Sequence, residues 1–480
     1  MSLKSNSTTS GFVWKTLEQY GVIGIQFILQ LILARILEPE VYGVVAIVAI
    51  FIGFSNVFIQ KGFSSALVQR KEITKEDVSS VFYVSFGIAA FFYGLIFCLA
   101  PFVAHFFDMP ELKGLLRVMC LGLFPGVYSS IQYALLRREI NFKVVFFASI
   151  TSVGISGGVA IWLAYKGAGV WALAVQQLLY SFLVVIVQFI QCRWIPLWHC
   201  NLKRVGYFWS FGWKVLASGL INEIFAEIRT FVIGKMYTKA DLSFYGRGRQ
   251  FPHLLINSVN GSLQAVMLPR LSSVQDNKDV LNNLVRTSIS TSYFVLSPLL
   301  VLLACCAEPL VSVLLTDKWL PCVPYLQLYC VYYAAWPFST LSMQAIYAVG
   351  KSDVILKIEI IRKVLDVAAL VVSVRMGVFW IAAGSVMVEL ITLPFFMRPL
   401  RNNIGYSVRK QIEELLPVIL LSILIGIITI VIGKLQFHPL ILLLLQITIS
   451  LTVYILLSKL FRINAGRFFY EKVRTLRLKI

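Results

Sequence analysis

Charged side chains interrupt two neighbouring apolar runs in the middle of this sequence. Glu223, Glu227 and Arg229 lie in the first run, and Arg247 and Arg249 lie in the next one. An ionisable group within a lipid bilayer is costly unless it faces a partner or a water-filled cavity. A guanidinium donates two parallel hydrogen bonds to a phosphate or a carboxylate. The three arginines therefore indicate a cavity that attracts anions.

The spacing of these groups limits which of them can pair with one another. Glu223 and Glu227 are four residues apart and therefore share one face of a helix. Arg229 follows Glu227 by two residues, which turns it by about 200° around the helix axis. The partner of Arg229 must then belong to another helix or be a ligand. The two carboxylates are candidates for coupling to an ion gradient.

Other charged residues lie in the first, second and eleventh apolar runs. Lys15 and Lys61 add positive charge, and Asp366 follows Arg362 and Lys363. In a simpler interpretation, Lys15 extends to the membrane interface, and the eleventh run contains only an internal ion pair. We predict the following functional residues: Lys15, Lys61, Arg229, Arg247 and Arg249 for substrate binding, and Glu223, Glu227 and Asp366 for ion coupling.

The composition identifies the protein class. Hydrophobic residues make up 58% of the 480 residues and charged residues 14%, whereas soluble domains have about 25% charged residues. The apolar runs are continuous over about twenty residues, which is typical of membrane helices and not of barrel strands. We predict an all-α polytopic membrane protein. The cysteines contain no CxxC pair and the four histidines are scattered, so no metal or cofactor is expected.

Fourteen apolar runs are long enough to cross a membrane. They are residues 12–37, 43–68, 79–103, 112–136, 144–165, 169–192, 208–235, 243–268, 287–307, 323–349, 354–375, 378–400, 415–434 and 439–460. The loops and ends on one side carry 25 Lys and Arg residues and those on the other side carry 6. This bias predicts that both termini are cytoplasmic.

The same bias explains the net charge of +20 without nucleic-acid binding, because most basic residues lie in short loops. The polar first ten residues lack the pattern of a cleaved signal peptide. The basic tail after Phe461 is expected to contact anionic membrane lipid.

The first twelve spans contain a repeat. Trp14-Lys15 and Trp213-Lys214 each open a long apolar run, and Tyr42-Gly43 and Tyr245-Gly246 each open the next run. Two further features recur in the same order: a proline within a span, at Pro125 and Pro337, and a glycine-containing turn before Trp171 and Trp380. Six spans per repeat give both halves the same orientation, with a site expected at their interface. We predict an N-terminal lobe at 1–200, a C-terminal lobe at 201–400, and two appended helices with a tail at 401–480.

Short motifs connect the sequence to a known family. Leu33-Ala34-Arg35, Gln69-Arg70-Lys71-Glu72 and Leu136-Arg137-Arg138 resemble the polysaccharide transporter (Wzx/WzxC-like) branch of the MOP exporter superfamily. The resemblance covers essentially the whole chain. It implies two six-helix lobes around a central cavity. It also implies a flippase that exports an undecaprenyl-pyrophosphate-linked oligosaccharide across the bacterial inner membrane for O-antigen, capsule or exopolysaccharide synthesis. Polysaccharide polymerase machinery is an expected partner.

The charged residues support such a mechanism. Arginines within the cavity would replace water around the pyrophosphate, and a titrating carboxylate would couple alternating access to an ion gradient. No nucleotide-binding motif is present to supply ATP energy. The segment Phe244 to Arg249 is more basic than the resemblance leads us to expect, which leaves the substrate open.

Three other functions remain possible at this stage. A drug or cation exporter of the same superfamily would need an acidic cavity, which the excess of Arg and Lys opposes. A polysaccharide polymerase or ligase would need a large outward loop with convergent acid and base groups, and the longest such loop, 308–322, holds only about fifteen residues. A scaffold in a polysaccharide assembly complex is the third possibility.

Overall fold

The computed structural model describes residues 5–61, 67–68, 73–198, 201–435, 437–461, 463 and 465–466. All regular secondary structure in those residues is helical. The predicted basic tail lies almost wholly outside them, and so does the side chain of Lys61.

The helices form two compact units, Met1–Ser243 and Phe244–Ile480. The helices of the first unit are α1 Ser5–Ile36, α2 Pro39–Asn56, α3 Lys75–Phe106, α4 Glu111–Met119, α5 Leu123–Arg138, α6 Phe142–Tyr165, α7 Val170–Cys192 and α8 Leu202–Met236. Helix α9, Lys239–Ser272, begins in the first unit and continues in the second.

The second unit contains the remaining helices. They are α10 Lys278–Cys305, α11 Ala307–Leu315, α12 Val323–Ala334, α13 Trp336–Ala348, α14 Ser352–Ser373, α15 Val378–Ile404, α16 Val408–Gly433 and α17 Pro439–Leu460. The appended helices α16 and α17 belong to this unit: the Tyr454 hydroxyl donates to the Phe294 carbonyl at 2.7 Å, and Ser297 donates to Ser422 at 3.0 Å.

Among the described residues, 10 helical segments are long and apolar enough to cross a membrane. The all-α polytopic fold class is therefore confirmed. The other four predicted spans coincide with α8, α9, α12 with α13, and α14, which are not among these 10 segments. The total of fourteen spans stays a prediction.

The two prolines of the sequence repeat lie at equivalent breaks. A 3₁₀ turn, Cys120–Gly122, separates α4 from α5, and Pro125 lies in the first turn of α5. Ala335 separates α12 from α13, and Pro337 lies in the first turn of α13. Proline lacks an N–H and is best accommodated in the first turn of a helix. The fourth and tenth predicted spans are each broken at the same place for this reason.

The glycine turns of the repeat also match. Gly169 precedes α7 with φ +54°, and Gly377 precedes α15 with φ +118°. A residue with a Cβ atom rarely adopts such angles, so glycine is required at both helix starts. The local geometry therefore repeats where the sequence does.

Small residues allow close packing in the first unit. Ser149, Ser156, Gly157 and Ala160 form a buried stripe along α6. A Cβ atom added to Gly157 would collide with the side chain of Leu29 on α1. Small residues of this kind let membrane helices approach each other closely. The hydroxyls of Ser149 and Ser156 in this stripe are therefore buried among the helices.

Charged groups within the helices as a candidate substrate site

A close helix contact fixes the two arginines of α9. A Cβ atom added to Gly248 would lie 2.8 Å from both the Cys322 carbonyl oxygen and the Leu326 nitrogen, which is closer than a real side chain permits. Glycine therefore lets the backbone of α9 contact the start of α12. Arg247 and Arg249 flank this contact point, so their side chains leave α9 in different directions.

Arg247 is enclosed by protein. Its side chain is buried, Nη1 donates to Gln250 Oε1 at 2.7 Å, and its Cζ lies 5.1 Å from the centre of the Trp319 ring. Trp319 is itself fully buried in the short 3₁₀ segment Asp317–Cys322. The indole ring stabilises the guanidinium by a cation–π interaction.

Arg249 lies among tyrosines. It forms a hydrogen bond with the side chain of Tyr333 and lies close to Tyr245 and Tyr329. These three tyrosines are buried, and the Tyr329 hydroxyl donates to the Tyr245 hydroxyl at 2.7 Å. No carboxylate among the described residues forms an ion pair with Arg249. Neutral phenol groups thus surround the guanidinium, whose positive charge is left for an anion to balance.

A second cation in the same unit is fully paired. Arg362 on α14 forms an ion pair with Glu389 on α15, and its Nη2 donates to the Tyr332 hydroxyl at 3.2 Å. The Ser339 hydroxyl donates to Glu389 at 3.1 Å, and the Glu389 side chain is 0% exposed. The eleventh run was predicted to contain an internal ion pair, but the buried partner of Arg362 is Glu389 on the next helix.

Glu389 was not among the predicted functional residues. The signal was present, because Glu389 is an ionisable residue within the apolar run 378–400, which is the criterion that selected Glu223 and Glu227. Asp366 lies one turn after Arg362 on α14 and is partly buried.

An aromatic row separates the two environments. The ring centres of Tyr332 and Tyr333 are 5.0 Å apart, and those of Tyr333 and Trp336 are 4.9 Å apart. Tyr333 contacts Arg249, and Tyr332 contacts Arg362. Trp336 and Arg362 also line a cavity of about 180 Å³. On one side of the row, Arg249 has no carboxylate partner among the described residues. On the other side, Glu389 neutralises Arg362.

The predicted residues of the first unit have different surroundings. Lys15 forms an ion pair with Glu18, and its Nζ lies 5.5 Å from the Tyr133 ring centre. Lys61 ends the π-helical turn Val57–Lys61 that extends α2. The Lys61 side chain lies outside the described part of the structure.

Helix α8 carries the remaining predicted groups. Glu223 packs against α2, because a Cβ atom added to Gly53 would lie 2.5 Å from its Oε1. Glu227 and Arg229 are partly buried. Glu227 forms no ion pair with any described residue, whereas Arg229 has an interaction partner. The structure thus groups Lys15, Glu223, Glu227 and Arg229 in one unit, and Arg247, Arg249 and Asp366 in the other.

Comparison with known proteins identifies the family. The model of the polysaccharide biosynthesis protein family matches residues 32–324. The chain belongs to this family. The predicted resemblance to Wzx/WzxC-like polysaccharide transporters is confirmed.

Two relatives and one solved structure define the likeness. The succinoglycan biosynthesis transport protein ExoT of Rhizobium meliloti is 26% identical over 68% of this chain and 66% of its own length. The lipopolysaccharide biosynthesis protein WzxC of Escherichia coli is 22% identical over 89% of each chain. The lipid II flippase MurJ has the same fold, with a TM-score of 0.76 and 14% identity over 94% of this chain and 98% of its own. Family and fold are those of a membrane transporter, not an enzyme.

Proposed function

We propose that this protein flips a lipid-linked oligosaccharide across the bacterial inner membrane for the assembly of a surface polysaccharide. The carrier lipid would be a polyprenyl diphosphate such as undecaprenyl diphosphate. The printed functions of ExoT and WzxC support a polysaccharide precursor as the substrate, and the fold of MurJ supports a flippase. A polymerase that uses the exported unit would be a downstream partner.

One observation carries the proposal: Arg249 has no carboxylate partner among the described residues and is held by tyrosine hydroxyls. A charge in this environment is stabilised by binding an anion. A diphosphate offers pairs of oxygens that can accept both hydrogen bonds from the paired N–H groups of a guanidinium. A cationic drug would instead be repelled by the uncompensated guanidinium.

Lys15, Lys61, Arg229 and Arg247 remain proposed substrate-binding residues with more limited support. Lys15 is neutralised by Glu18, and Arg247 is covered by Trp319, so each would have to change partners to bind a substrate. Glu223, Glu227 and Asp366 remain proposed coupling groups. Among them Glu227 has the strongest support, because no cation among the described residues neutralises it and it is therefore the most accessible to a proton or a sodium ion.

Transport in reconstituted vesicles tests the proposal. The purified protein would be placed in liposomes that contain a polyprenyl diphosphate carrying a fluorescent oligosaccharide, and a membrane-impermeant quencher would report its sidedness. We expect flipping well above that of protein-free vesicles, and no transport of ethidium in the same vesicles. Ethidium export without movement of the lipid would favour the drug exporter instead.

A further inference from the structure

The first unit encloses a cavity that the charged residues above do not explain. Its volume is about 480 Å³, which lies within the range of pockets that hold small ligands. Helices α1, α5, α6 and α7 form its walls. Polar side chains dominate the lining, and those that matter here are Glu18, Ser129, Tyr133, Ser149, Tyr180 and Gln188.

Gln188 is the most informative of these residues. Its side chain is nearly completely buried, with 2% exposure, and its Oε1 has no hydrogen-bond partner among the residues that the structure describes. Buried amide oxygens are almost always paired, because leaving one unpaired costs free energy. A ligand hydroxyl in the cavity would supply the missing hydrogen bond.

The hydroxyl groups of the lining are arranged to accept hydrogen bonds. The hydroxyls of Ser130 and Ser181 donate to the carbonyls of Val127 and Gln177, at 2.9 and 3.0 Å. The proton of each hydroxyl is thus used within its own helix, and the Ser181 oxygen can accept a hydrogen bond from a ligand. Tyr180 forms a hydrogen bond with Ser149 on the facing helix. The lining therefore offers many acceptors to a ligand rich in hydroxyl groups.

The charge of the cavity differs from that of the Arg249 environment. Lys15 neutralises Glu18, and Arg137 contributes the guanidinium of the lining. Apart from the Lys15–Glu18 pair and Arg137, the polar groups of the lining are neutral and can form hydrogen bonds with sugar hydroxyls. The ring of Tyr133 adds an apolar surface on which the C–H face of a sugar ring can pack.

We propose that this cavity binds the sugar portion of the substrate. The inference rests on the proposed function, because it assigns one part of that substrate to a particular site. The lining residues lie toward the ends of their helices that are predicted to be cytoplasmic, where the lipid-linked sugar is loaded. The cavity would therefore select the glycan before it is flipped.

Paired lipid probes test this assignment with the full-length protein in detergent. One probe is a short-chain polyprenyl diphosphate without sugar, and the others carry glucose, galactose or N-acetylglucosamine on the same lipid. We expect at least one glycosylated lipid to bind about five- to tenfold more tightly than the bare lipid, as one additional neutral hydrogen bond predicts. Equal affinity of all four lipids would overturn the proposal.

Substitutions in the lining then locate the preference. Gln188→Leu and Ser129→Trp should abolish the preference for sugar without weakening the binding of the bare lipid. Gln177→Leu, an exposed position on the same helix, is the matched control and should keep the preference. A sugar preference retained in both lining variants would disprove the proposed site.

Two further measurements separate the possible failures. Gln188→Leu should unfold at the same temperature as the wild type or higher, because it replaces an unpaired buried amide with an apolar side chain. A marked fall in that temperature would assign Gln188 a structural role instead. If even the bare lipid neither binds nor is flipped, the proposed transport function itself is wrong. Binding of the bare lipid without any effect of sugar removes only the cavity proposal.

Discussion

Arg362 on α14 and Glu389 on α15 form an ion pair within the apolar interior of the second unit, and the Glu389 side chain is completely buried. Ser339 and Tyr332 complete the hydrogen bonds of this pair. Removing either partner would destabilise the folded protein, because the remaining charge would be buried without a counter-charge. The pair therefore joins the two helices as long as neither group changes its charge.

The first prediction concerns this pair. Glu389→Ala should lower the free energy of unfolding by about 3–5 kcal/mol, because it leaves the Arg362 charge buried and unpaired. The double variant Arg362→Met with Glu389→Met should regain most of the loss. The exposed pair Arg409–Glu413, with side chains 89% and 54% exposed, is the control. Its removal should change stability by less than about 1 kcal/mol.

Thermal unfolding in detergent, followed by size-exclusion chromatography, measures these effects. A Glu389→Ala protein as stable as the wild type would contradict a structural role of the pair. If that variant also lost gradient-dependent transport, Glu389 would be a coupling residue.

The second prediction concerns Arg249. Arg249→Ala should slow flipping about tenfold or more, since a hydrogen bond to a charged group contributes about 1.5–3 kcal/mol. Arg249→Lys should restore only part of the rate, because an ammonium group cannot make the bidentate contact with a phosphate. Flipping rates of the variants in liposomes, at equal amounts of folded protein, provide the measurement.

Arg247→Ala is the comparison for this experiment. Arg247 packs on the buried Trp319, so its removal should lower the unfolding temperature as well as transport. If Arg249→Ala lowered stability and left the flipping rate of the remaining folded protein unchanged, Arg249 would be a packing residue.

The third prediction concerns ion coupling. Glu223→Gln together with Glu227→Gln should abolish the dependence of transport on a proton or sodium gradient, because amides cannot take up either ion as a carboxylate does. Transport would be compared in liposomes with and without each imposed gradient. A double variant that keeps the wild-type response would exclude both glutamates, and Asp366 would be the next residue to replace.

The fourth prediction concerns orientation. Cysteine introduced at Thr238 or Asp317 should react with an impermeant maleimide added to intact cells after the outer membrane is made permeable. Cysteine at Asn277 or Arg401 should react only after lysis, because these loops are predicted to be cytoplasmic. Labelling in the reverse pattern would show that the orientation and the number of spans are wrong.

Sequence patterns were informative where a local rule applies. Apolar runs of membrane length predicted helices at all fourteen positions, because backbone groups in a bilayer must bond within their own segment. The breaks before Pro125 and Pro337 and the turns at Gly169 and Gly377 follow from the restricted backbone of these residue types.

Contacts between distant residues could not be predicted in this way. Glu389 lies 27 residues after Arg362, and nothing in the spacing shows that it is the partner. The contact of α9 with α12 at Gly248 and the polar cavity lined by Gln188 also depend on how separate helices pack. A single glycine or glutamine in an apolar run does not indicate which surface it will meet.

The tyrosine environment of Arg249 has a consequence for the electrical work of transport. Phenol groups carry no charge, so at this position the empty carrier holds a positive charge that the bound diphosphate would cancel or reverse. Moving one elementary charge across 100 mV involves about 2.3 kcal/mol. In a cell whose interior is negative, the voltage favours outward movement of the anionic loaded form and inward return of the cationic empty form. The voltage would then favour both halves of the cycle, and an imposed potassium diffusion potential, negative inside, should accelerate export by the wild type more than by Arg249→Ala.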